Sequence, residues 1–181
     1  MTDPRTQRMF RWLDWAFWLI WLGFPVLIWS LVRSVLDLPA QLARLAPDQA
    51  QCLVGLPQVA LFSAVGKVAF WVPFAVEMAV YAVLLFLAHR VVHWCATGQI
   101  FIPPIIRALQ MIGVIIAAFP LCDWVMQMLA AWIYVQTGDM PFFDWGFAVD
   151  VPVIGVGLLL VTMAAAMQMA VQLHEDAALT I

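Results

Sequence analysis

Charge is scarce in this chain. Eight lysines and arginines and eleven aspartates and glutamates make up 10% of its 181 residues, where a water-soluble domain carries roughly a quarter. That shortage excludes an ordinary soluble fold. The bases are also outnumbered by the acids and do not cluster, so the basic footprint needed for direct nucleic-acid binding is missing. Cysteine is equally sparse. Cys52, Cys95 and Cys122 form no Cys-x-x-Cys pair, and the topology derived below places them in three different compartments, which excludes a thiol-disulfide oxidoreductase and leaves them as small apolar residues. No phosphate loop, glycine-rich dinucleotide fingerprint or nucleophile elbow occurs. An enzyme, a catalytic residue and an organic cofactor are therefore not expected.

What the chain has in quantity is hydrocarbon: 66% of it is apolar, with a mean hydropathy of +0.98. Four blocks, residues 13–32, 69–88, 111–132 and 151–171, are long enough to cross a hydrocarbon layer of about 30 Å, which takes roughly 20 helical residues. Lipid offers no partner for backbone amides, so each span must be a helix or part of a closed barrel. The blocks do not alternate polar and apolar residues as barrel strands do. The expected fold is all-α, a single four-helix transmembrane domain over residues 1–181. The first block is too long for the core of a signal peptide and reads as retained. Pro25, Pro73 and Pro120 fall inside blocks, where each removes a backbone hydrogen bond.

Orientation follows from the basic residues near the helix ends. Arg5, Arg8, Arg11, Arg90 and Arg107 lie on one side, against Arg33, Arg44 and Lys67 on the other, whose second connection holds only Asp139, Asp144 and Asp150. Both termini are expected in the cytoplasm of a multi-pass inner-membrane protein, with the lipid bilayer as its first partner. Trp12, Trp15, Trp71, Trp94, Trp132 and Trp145, near block ends, suit an interfacial aromatic belt. Small residues, among them Ala117, Ala130, Ala131 and Ala164, allow close helix approach. In the long first connection, Leu36, Leu38, Leu42 and Leu45 have nearly the spacing of an amphipathic helix along the membrane surface.

The stretch GQIFIPPIIRALQMIG, residues 98–113, is the cytoplasmic turn that starts the third helix, with Pro104 suited to its first turn. Its Gly98, Phe101, Leu109, Ile112 and Gly113, together with the ending HEDAALTI, in which Glu175, Leu179, Thr180 and Ile181 fit, resemble the bacterial membrane family catalogued as domain of unknown function 2975. Ala178 stands where that family tends to place a second acid. The resemblance implies a small four-helix membrane protein with no established reaction, some of whose members resemble partners of soluble helix-turn-helix regulators. Gly98, Phe101, Arg107, Glu175, Leu179, Thr180 and Ile181 are then the candidates for a cytoplasmic interaction with a soluble regulator or another membrane protein.

Two other constellations remain. Glu77 and Asp123 are the acids deep inside the blocks, with Tyr81 and Gln127 one turn along from them, and they form a candidate proton or ion site of a small transporter or ion-coupled subunit. At equal depth, two such carboxylates would retain a proton between them. His89 and His93 are four apart on one helical face, but Arg90 occupies the position where a zinc protease needs its glutamate. They read first as interfacial histidines. With His174, expected on the same side, they form the alternative of a metal or haem site.

Overall fold

The computed structural model describes residues 4–42, 62–97, 102–139 and 149–179, with side chains over 8–37, 62–97, 102–139 and 149–173. All four elements in it are helices: α1 (Pro4–Leu42), α2 (Ala64–Ala96), α3 (Pro103–Thr137) and α4 (Val151–Leu179). Each is long and apolar enough to cross a membrane. At about 1.5 Å per residue the shortest, with 29 residues, already exceeds the hydrocarbon thickness.

Every helix overruns the apolar block that announces it, except at the start of α4, which falls on Val151 as expected. The leucines of the first connection are the clearest case, because Leu36, Leu38 and Leu42 lie in the last turns of α1 rather than in a separate surface helix. Arg33 and Asp37 pair there across one turn at 3.4 Å, an exposed contact that lets a charged segment stay helical. Leu45 falls outside the described residues. Pro25, Pro73 and Pro120 all sit within continuous helix.

The double proline falls inside the first turn of α3, so residues 103–113, read from the sequence as a turn, are helical. Pro103 opens the helix and Ile102 caps it, its carbonyl accepting from the amides of Ile105 and Ile106. Proline fits a first turn because its missing N–H has no intrahelical acceptor there.

The chain falls into two compact units. The first comprises Met1–Ile20, Ala79–Trp124 and Ala148–Ile181. Its α3 and α4 segments approach backbone to backbone: a Cβ on Gly157 would come within 2.7 Å of the Gly113 carbonyl and 2.8 Å of Ala117 Cα. Only glycine permits that separation. Gln110 and Gln168 bond at 3.3 Å further along the same pair, so the helices run antiparallel. Ile105, Ile106, Ala108 and Ala164 are buried in this unit.

The second unit comprises Trp21–Met78 and Val125–Phe147. Its core is Phe62, Ala69, Ala130 and Tyr134, with Val35, Phe70 and Ile133 packed against it. One carboxylate ties the start of α2 to the end of α3. Asp139 accepts from the Ser63 amide through Oδ1 and from the Ser63 and Thr137 hydroxyls through Oδ2, all at 2.7 Å. Ser63 in turn caps α2, its Oγ accepting from the Gly66 amide at 3.0 Å. Gly138, at φ 75°, lets the chain leave α3 in a left-handed turn.

No polar or charged side chain is buried among the described residues, whereas Trp12, Trp15, Leu19, Leu22, Val26 and Trp29 of α1 are exposed. In water so much bare hydrocarbon would be untenable. Around a transmembrane helix it is the surface that lipid covers.

Candidate functional site

The polar grouping the structure assembles most clearly lies in the first unit and was not anticipated as a whole. Asp14, on the third turn of α1, reaches α2, where its Oδ1 accepts from His89 Nε2–H at 3.1 Å and lies 3.4 Å from His93 Nδ1. The four-residue spacing of the histidines stacks them on one face, as expected, and the shared acceptor is what the spacing alone does not supply. Asp14 and His89 are largely enclosed, with 21% and 15% of their side chains accessible, while His93 at 60% stands open.

Aromatic rings complete the enclosure. Phe17 stacks on the His89 ring at 5.5 Å and Trp18 meets it edge-on at 5.4 Å. One turn beyond, the Arg90 guanidinium lies 4.5 Å above the Trp94 ring. The sequence offered two signals for this grouping: the histidine spacing, and an aspartate isolated among apolar residues of a membrane helix.

The other intramembrane candidates divide between the two units. Glu77 and Gln127 belong to the second unit, Tyr81 and Asp123 to the first. Glu77 and Asp123 are half-buried, Tyr81 and Gln127 exposed, and none of the four is without a partner. Tyr81 meets the Phe119 ring at 6.0 Å.

Arg107 is exposed on the second turn of α3, beside a pocket of about 240 Å³ between α3 and α4. Gly98, Phe101, Thr180 and Ile181 lie outside the described residues. Glu175 and Leu179 lie within α4, which remains helical to Leu179, although their side chains, like that of His174, are outside the description. Among the described residues no group of three histidine, cysteine, aspartate or glutamate side chains is arranged to hold a metal ion. Cys95 and Cys122 are free thiols; Cys52 is outside the described residues.

Asp139 is a contrasting polar centre in the second unit. The Ser63 amide holds its carboxyl below the usual carboxylate range, helped by the Thr137 and Ser63 hydroxyls and by Lys67, against a smaller opposing effect of burial. Its bonds go to the ends of two helices, which makes it a structural clasp. No family model, no curated protein and no solved structure matches this chain.

Proposed function

We propose that this chain is a bacterial inner-membrane protein without catalytic chemistry that regulates or recruits a soluble partner through its cytoplasmic face. The observation that carries this reading is the length of α4. That helix does not end where its apolar residues end, but continues through His174, Glu175 and Asp176 to Leu179. Three polar residues in unbroken helix beyond the hydrocarbon add about one turn with no packing role in lipid. A helical extension of that kind is a form in which proteins dock partners in water.

The test is truncation. Tagged full-length protein and a variant lacking Leu179–Ile181 are purified from native membranes side by side. The truncated protein should insert equally well and lose a soluble protein that the full chain retains. Equal retention by both refutes the reading.

A second reading, an ion-coupled subunit, draws support from the half-buried acids Glu77 and Asp123 within apolar helices, since charge in a membrane span is costly and usually serves a pathway. Glu77→Gln and Asp123→Asn should abolish proton-coupled flux in proteoliposomes while leaving the fold intact. Undiminished pH-dependent flux in both variants removes this reading.

A further inference from the structure

We propose that the pocket between the start of α3 and the end of α4 binds the phosphate-bearing headgroup of an anionic phospholipid. The inference rests on the membrane reading above but not on the partner, so it stands if the tail proves inert.

Four observations on the first unit converge on this ligand. The pocket wall combines Arg107 with Gln110, Gln168 and Gln172, while Ile106 and Val171 supply its apolar part. A guanidinium matches phosphate oxygens in a bidentate fork. The Gln110 amide donates to the Gln168 side-chain carbonyl at 3.3 Å, so the Gln168 NH₂ is not used in that bond, and Gln172 adds a further amide to the lining. The chemistry is therefore that of a hydrogen-bonded oxyanion.

Charge balance points the same way. Among the described side chains of this unit, which stop before Glu175 and Asp176 on α4, Arg8, Arg11, Arg90 and Arg107 have no carboxylate partner. Asp14 is engaged by the two histidines, and Asp150 caps α4 through the Val153 amide at 3.3 Å. Asp123, 16 positions along α3 from Arg107, is about 24 Å away at 1.5 Å per residue.

Size selects among anions. A volume of about 240 Å³ equals roughly eight water volumes of about 30 Å³ each. That accommodates a phosphodiester with a glycerol unit. It falls below the range of about 300 to 1,000 Å³ typical of pockets for larger organic ligands, which argues against a nucleotide.

The surroundings distinguish a lipid from a free phosphate. Met111 and Val114 on α3, and Met169 and Leu173 on α4, are exposed within two turns of the polar lining, offering hydrocarbon for acyl chains to lie on. A second cavity in the same unit, about 370 Å³, is lined by Arg8, Arg11, Trp12 and Trp15, the arginine and tryptophan pairing of a headgroup layer. Basic pockets between membrane helices on the cytoplasmic side take anionic headgroups in this way.

The experiment is native mass spectrometry of the purified full-length protein, equilibrated with mixed micelles containing phosphatidylglycerol and phosphatidylcholine. The wild type should retain phosphatidylglycerol preferentially. Arg107→Gln should reduce that preference about fivefold, Gln168→Leu should reduce it to a smaller extent, and Arg107→Lys should restore most of the loss because charge is kept while the fork is not. Arg33→Gln, in the other unit, should change nothing. An unchanged preference in Arg107→Gln, with native helix content by circular dichroism, overturns the assignment. Displacement of the retained lipid by millimolar inorganic phosphate makes the pocket a free-anion site and overturns the lipid source.

Discussion

A methyl group added at Gly157 tests the close approach of α3 and α4, and a control sits two residues away. A Cβ at Gly157 would stand 2.7 Å from the Gly113 carbonyl and 2.8 Å from Ala117 Cα, whereas one at Gly155 meets nothing within 4 Å. The Ala117 amide nitrogen would be nearer still, and ordinary contact begins near 3.4 Å, so the helices must separate by more than 3.4 − 2.7 = 0.7 Å. The obstructing atoms are backbone, and no rotamer change relieves them. A gap of that size forfeits a quarter to a half of the dispersion energy along the seam, and overpacking of this kind costs about 1 to 3 kcal/mol. Both substitutions gain the same helix propensity, about 1 kcal/mol in favour of alanine. The difference between Gly157→Ala and Gly155→Ala therefore isolates the steric contribution, about 5- to 150-fold in the folded-to-unfolded ratio at 1.4 kcal/mol per decade. Titration of the purified protein with dodecyl sulfate in mixed micelles, followed by circular dichroism, reads that ratio. Should the two variants unfold at the same detergent fraction, the seam is not the tight contact described.

Three further outcomes are expected. Removing the acceptor with Asp14→Ala should cost about 1.5 to 3 kcal/mol, the range for a hydrogen bond to a charged group, and His89→Ala a similar amount. His93→Ala should cost little because its side chain is 60% exposed; equal losses at both histidines in the same detergent titration would contradict the geometry. Since Asp139 has its carboxyl depressed in the folded state, its contribution is complete above the unfolded value near 3.9 and disappears as pH falls through the lower folded value. Exchange of the Ser63 amide hydrogen should stay slow at neutral pH and quicken under strong acid, whereas Asp139→Asn should exchange rapidly throughout; identical exchange in both proteins removes the clasp. A reporter fused after Ile181 should report cytoplasmic, and one inserted at Asp48 external, because five of the eight basic residues lie on one side. The reverse pattern would exchange every assigned face.

The parts of the fold that were legible in the sequence are those fixed by local chemistry. Length and apolarity announce the four helices, and the proline pair at 103 and 104 announces where α3 starts, because backbone sterics at proline act over one turn. Helix ends were harder to read. The segment from Arg33 to Leu42 reads as a connection on hydropathy, yet the Arg33–Asp37 pair sits within helix that runs on past the apolar block. Which distant residues pair was not legible. Asp14 and its partner His89 are 75 positions apart. Asp139 and Ser63 are 76 apart. Periodicity within one helix carries no information about which carboxylate faces which neighbour.

The bare flank of α1 bears on how the protein is made. No residue in its most apolar stretch is buried, so if this helix spans a bilayer as proposed, it does not wait for its neighbours to become stable there. It can leave the translocation machinery as an autonomous segment while α2 to α4 are still being synthesised. Its specific ties are then made late, when His89 emerges and the Asp14 carboxylate, until that moment alone at the membrane edge, acquires its partner. Insertion and docking become separate events in time, and a defect in the second leaves the first untouched.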